Sequence, residues 1–166
     1  MSLGRVYTID SGLMTDTTAA GTQLCILCGT TSAVQTFDAE AIRIGIYSGS
    51  GVSYPSNGTV EFQLLRSTGT AAAGTAATKN PANPGDVACQ STWLAGSTGT
   101  PITGLTATAV EVWGQVIPFT AGANWAEWVT PGAEWRCPIS SNLALWATVS
   151  SAGTATQIKA QIVIAE

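Results

Sequence analysis

The chain is 166 residues long, carries a net charge of −4, contains no histidine, and is 45% hydrophobic but only 10% charged. That length fits one domain with its own core, and the six basic residues (Arg5, Arg43, Arg66, Lys79, Arg136, Lys159) are scattered, without the cluster that direct nucleic-acid binding requires. No stretch approaches the ~20 apolar residues of a membrane-spanning helix, and residues 1–9 lack the charged start and apolar run of a signal peptide, so neither membrane nor nucleic acid is expected as a partner.

Short runs of alternating apolar residues recur between Gly, Ser, Thr, Pro and Asn punctuation, with almost no helical period. This pattern predicts a single all-β domain over 1–166, a sandwich or barrel of eight to ten strands. Residues 1–20 read as an N-terminal arm, with one strand at 5–9 and a polar, irregular stretch at 10–20. Further strands are expected at 22–29, 41–47, 59–67, 87–94, 106–119, 124–129, 134–139, 143–149 and 156–165. Alternation is plainest near the ends of this series: Ile42, Ile44 and Ile46 share one face, as do Ile158, Ala160, Ile162 and Ile164. Residues 68–86 read as a long loop in which Pro81 and Pro84 favour an extended path. A second Gly/Ser/Thr-rich loop is expected at 95–106.

The segment 124–137 predicts a hairpin turning at Pro131-Gly132, with Trp128 opposite Trp135 and Glu127 opposite Arg136. Pro-Gly prefers a type II turn whereas hairpins prefer the primed types, so two strands belonging to different sheets is the alternative.

Four cysteines occur at 25, 28, 89 and 137. Cys25 and Cys28 form a CxxC pattern inside a strand-like run, where residues three apart point to opposite faces and cannot grip one metal. All four are read as small buried hydrophobes, with disulfides as the alternative and no metal site expected.

Without histidine the commonest general base, triad partner and metal ligand are missing. There is no GxSxG, P-loop or GxGxxG motif. Asp38 and Glu40 read as a solvated turn. Glu127 and Glu134 lie among tryptophans, as in a sugar cleft, but Arg136 offers Glu127 a simple partner. No enzyme activity and no cofactor are expected. The six tryptophans (93, 113, 125, 128, 135 and 146) are the stronger signal, since aromatic rings fill cores and anchor interfaces. Trp125 and Trp128 have opposite parity, so at most one faces the core. The interface candidates are Trp93, Trp125, Trp128, Lys79, Pro81 and Pro84.

The stretch Ala121-Gly-Ala-Asn-Trp-Ala-Glu-Trp-Val-Thr-Pro-Gly-Ala-Glu-Trp-Arg136 resembles a pattern in small structural proteins of tailed bacteriophages, where an aromatic pair precedes Thr-Pro and an acid and an arginine follow. A Leu-rich strand at 143–148 and an apolar strand closing on Ile162-Val-Ile-Ala-Glu166 continue the likeness. Upstream, Ala41-Ile-Arg-Ile-Gly-Ile-Tyr-Ser-Gly-Ser50 and the Pro-containing loop at 78–86 extend it to residues 40–166. The resemblance implies a jelly-roll-like antiparallel β-sandwich acting as a capsid decoration (cement) protein. It further implies a phage major capsid protein as partner, a trimeric state, and a place on the virion after assembly in the host cytoplasm. The alternative is a carbohydrate-binding, lectin-like or receptor-binding β-sandwich using Trp125 or Trp128 beside Glu127 and Asn124.

Overall fold

The computed structural model describes residues 4–17, 20–32, 35–47, 58–118, 124–129, 135–150 and 156–166; the side chains of 107–112, 124–126 and 129 fall outside that description. Among the described residues there are twelve strands: β1 (Val6–Asp16), β2 (Gln23–Thr30), β3 (Phe37–Tyr47), β4 (Thr59–Ala73), β5 (Thr75–Ala76), β6 (Thr78–Pro81), β7 (Thr92–Ala95), β8 (Ile102–Pro118), β9 (Asn124–Val129), β10 (Trp135–Cys137), β11 (Asn142–Val149) and β12 (Thr156–Ala165).

They form two sheets. The first runs β10-β3-β12-β1-β6, with β9 also paired to β3, and the second runs β5-β7-β2-β11-β4-β8. Every pairing is antiparallel. Eight of the strands, β1-β12-β3-β9 against β2-β11-β4-β8, have the jelly-roll order: each chain step except β4 to β8 crosses from one sheet to the other. The core lies between the sheets, and the alternation read from the sequence builds it. Ile158, Ala160, Ile162 and Ile164 of β12 are buried in line with Ile42, Ile44 and Ile46 of β3, facing Phe62 and Leu64 of β4 and Leu143 and Leu145 of β11.

Four local expectations change. Residues 6–16 are not part of an arm. β1 pairs with β12 along its whole length, and the irregularity at 10–13 is a bulge: the register shifts between Asp10 and Leu13, and Gly12 takes φ +71°. The polarity of this stretch therefore marks a kink inside a strand.

Residues 68–86 are largely strand. β4 and β8 continue as a ribbon to Ala73 and Ile102. Since β5 pairs with β7, at the opposite side of the second sheet from β4, the chain between them must cross the outer face of β11 and β2. This strap covers a second apolar cluster of Cys25, Cys28, Ala144 and Ile102, flanked by Ala71, Leu94, Leu105 and Trp146. The chain then enters the first sheet as β6 beside β1. The alanines that read as loop are small enough for a ribbon to lie close on a sheet.

The 124–137 hairpin is absent. β9 pairs with Ala41–Ile46 and β10 with Phe37–Ala39, so the two lie end to end along the same edge of β3. The Pro131-Gly132 turn itself lies outside the described residues. Glu127 therefore meets Arg43 rather than Arg136, and Arg136 meets Asp38.

Cys25 and Cys28 do share a face. β2 and β11 slip register between Leu145 and Trp146, leaving Ile26 as the extra residue, and that bulge turns an odd spacing into a same-side one.

Candidate functional site

The jelly roll has two long sides where the edges of its sheets approach, and each is closed differently. On one side β8 faces β9 and β10, and three half-buried tryptophans fill the seam. Trp113 stands opposite Leu64, Trp128 opposite Ile42 and Trp135 opposite Ala39, so all three point inward. Their rings lie 4.9 Å (Trp113–Trp128) and 6.2 Å (Trp113–Trp135) apart, both tilted, and pack on the main core. Tilted aromatic pairs at this spacing add ~0.5–1.5 kcal/mol beyond their area burial.

The outer face of the first sheet above this seam carries the ion pairs. Arg43 Nε donates to Glu127 Oε1 at 2.7 Å, and Arg136 grips Asp38 with Nε and Nη2 at 2.8 and 3.0 Å. Further across, Lys159 Nζ lies 3.1 Å from Asp10 Oδ2, which also accepts from Gln161 Nε2 at 2.6 Å. Burial alone raises the Asp10 pKa, but the bonds from Gln161, the Gly12 amide and Lys159 outweigh it and hold the carboxyl below its ordinary value. The two more exposed pairs, Arg43–Glu127 and Arg136–Asp38, are worth ~0–1 kcal/mol each, so their contribution is to fix the shape of the face more than to hold the fold.

On the other side the segment 87–91 and β6 close the gap between the sheets, and a cluster of polar groups holds them there. Glu166, just beyond β12, accepts from the Gln90 amide at Oε2 (2.8 Å) and at Oε1 from the Ser91 amide (2.8 Å), the Ser91 hydroxyl and the Cys89 thiol (3.2 Å). The Ser91 hydroxyl in turn accepts from Trp93 Nε1 at 2.8 Å. Lys79 Nζ donates to the Cys89 and Ser91 carbonyls at 3.3 and 3.1 Å, and Tyr7 Oη donates to the Val87 carbonyl at 2.8 Å. Side chains thus take main-chain positions that a strand partner would otherwise hold, which is why the strand expected at 87–94 begins only at Thr92.

Carboxylate, hydroxyl, thiol and amine in one place resemble catalytic equipment, yet each is engaged in holding the segment. Burial pushes the Cys89 thiol up, which favours its protonated form. Burial raises Glu166 as well, but the bonds from Ser91, Gln90 and Cys89 prevail and lower its pKa. Because the folded value lies below the unfolded one, the contribution of Glu166 to stability is present above the ordinary glutamate range, and is lost as pH falls through the lowered value. Glu166→Ala is expected to cost about 2 kcal/mol by leaving partly buried donors without their acceptor. The same variant should flatten the acid limb of stability against pH, read from urea midpoints between pH 3 and 7. An unchanged limb would refute the latch.

The structure separates the residues singled out from the sequence. Trp93 is only 2% exposed and packs on Phe37 at 4.9 Å, so it is a core residue and has no ring to offer a partner. Trp128 belongs to the seam. Trp125 sits on β9 opposite Gly45, its side chain outside the described residues along with Glu134. Lys79, Pro81 and Pro84 are exposed, on β6 and the turn after it, with the Lys79 ammonium held by carbonyls. Asp38 lies within β3 as the Arg136 partner, not in a turn. Cys25, Cys28, Cys89 and Cys137 are buried free thiols; burial drives Cys25 far upward and Cys137 up to about 12. The Ser91–Glu166 pairing escaped the sequence because its members lie 75 positions apart and Ser91 belongs to no motif.

No protein-family model matches the chain, and no curated protein sequence is similar enough to it to count as a relative.

Proposed function

We propose that the chain is a non-enzymatic structural protein of a tailed-phage virion, binding the assembled capsid shell as a decoration protein that stabilises it, with the major capsid protein as partner and a homotrimer as its working form. The observation that carries this reading is the jelly-roll order of the eight principal strands, an architecture that recurs in viral capsid and lectin domains. The phage-like residue pattern at 121–136 supports the first of those two uses. The tryptophans narrow the second use: Trp93 is in the core and Trp128 faces inward against Trp113, so a lectin-like role would rest on Trp125, whose side chain lies outside the described residues. Architecture alone does not determine function, so the weight rests on these residues together with the fold.

Binding to the shell would stabilise it by linkage, ~2.7 kcal/mol per site at a free concentration of 100 times Kd. Light scattering on the purified chain is expected to give a mass near three times 16.9 kDa. Shells assembled from the cognate major capsid protein should melt at higher temperature once it is added. A monomer that neither sediments with shells nor shifts their melting, but whose tryptophan fluorescence responds to glycans, would overturn the proposal in favour of the carbohydrate-binding alternative.

A further inference from the structure

β1 is covered unequally on its two edges. Along one, β12 pairs with it from Val6 to Asp16. Along the other, β6 pairs only with Tyr7–Asp10, and among the described residues no strand continues beside 13–16. In its place the structure has an open groove of about 570 Å³ between the second half of β1, β5 and the 96–99 loop.

The main chain of β1 faces this groove at Leu13; from Thr15 onward the 96–99 loop closes the edge, with the Thr17 amide donating to the Thr98 hydroxyl at 2.8 Å. The Thr15 carbonyl accepts from the Thr98 amide at 3.2 Å, so this edge of Thr15 points away from β12. Peptide groups two residues apart in a strand point the same way, and the register is regular from Leu13 to Asp16, so the amide and carbonyl of Leu13 are directed to the same side. Among the described residues its lining is uncharged: six side chains are hydroxyls (Ser11, Thr15, Thr17, Thr75, Ser97, Thr98) and the rest are apolar or glycine. Leu13 stands at its margin, 59% exposed and the most exposed large hydrophobic among the described residues.

We infer that this groove is a strand-addition site which takes an extended, uncharged peptide segment of a partner protein in line with β6. Main-chain bonds to the Leu13 edge would supply affinity, and a small apolar side chain against Leu13 with hydroxyl-compatible neighbours would supply selectivity. The absence of charge in the lining argues against acidic or basic segments, which would lose solvation on entering and gain no ion pair. The site does not depend on the partner being a capsid shell.

Amide exchange and NMR shift mapping on the full chain test the inference. In the free protein, the Leu13 amide is expected to exchange at least tenfold faster than the Thr8 amide, which lies under β6. The probe is the blocked pentapeptide acetyl-Thr-Val-Thr-Val-Thr-amide at millimolar concentration. It should shift Leu13, Thr15, Thr75 and Thr98 and slow Leu13 exchange. Gly99→Trp, placed where nothing crowds the glycine, should abolish those shifts without changing the melting temperature. Three results would each overturn the inference: a Leu13 amide already protected in the free protein, no shifts with the peptide, or the same shifts produced by maltotriose and not by the peptide.

Discussion

Gly29→Ala is expected to destabilise the protein by about 3 kcal/mol, at the upper end for one added methyl group in a packed core. Gly29 lies on β2 directly opposite Trp93 of β7, and the indole lies flat across it. A Cβ built at Gly29 would stand 2.4–2.7 Å from three carbons of the six-membered ring. The ring cannot retreat, because Phe37 packs on it and its Nε1 is held by the Ser91 hydroxyl, itself fixed by Glu166. A thermodynamic cycle checks the mechanism. Trp93→Ala alone should cost ~3–5 kcal/mol. In that background Gly29→Ala should cost almost nothing, giving a coupling close to the whole single-mutant effect. Denaturant midpoints measure all four species, and additive costs would show that the methyl group clashes with something other than the indole.

How far the sequence discloses this molecule depends on the range of each constraint. Periods of two residues are local, so the buried faces of β3 and β12 and the all-β class follow from reading along the chain. The jelly-roll order came from resemblance to a phage pattern, and the pairing agrees with it. What sequence reading misreads is where one residue too many changes parity. The bulge at Ile26 reverses the inference that Cys25 and Cys28 face apart, and the one at Ser11-Gly12 makes a strand look like an arm. Bulges are set by the partner strand, and no partner is visible in a window of ten residues. The same blindness produced the hairpin: Glu127 and Arg136 are sensible partners for one another by proximity, and only the long-range pairing of both strands with β3 assigns them to Arg43 and Asp38. The Ala-rich stretch at 71–77 reads as flexible because small side chains carry no periodic signal. The feature that orders it is the sheet beneath.

That strap is the subject of the second large effect. Gly69 and Gly104 face each other where the β4–β8 ribbon bends, at φ +101° and +79°. A Cβ at Gly104 would lie 2.2 Å from the Thr70 carbonyl oxygen, and one at Gly69 2.3 Å from the Gly104 oxygen. Gly104→Ala combines ~1–2 kcal/mol for a side chain in the left-handed region with a backbone clash that no rotamer relieves, so a total of about 3 kcal/mol is expected. The loss should be local at first. Asn142, which donates to the Gly69 carbonyl at 2.8 Å and accepts from the Thr30 hydroxyl at 2.7 Å, ties the strap to β11 and β2 from below. If the ribbon lifts, the cluster beneath it opens while the inner core, built from the other faces of the same strands, stays packed. Thiol labelling under native conditions distinguishes local from global opening. In the parent all four cysteines are buried and should react slowly. In Gly104→Ala, Cys25 and Cys28 should react at least tenfold faster while Cys89 and Cys137 keep the parent rate. Four thiols accelerating together would mean that the strap and the sandwich melt as one unit, and that the outer cluster is as much a part of the core as the residues between the sheets.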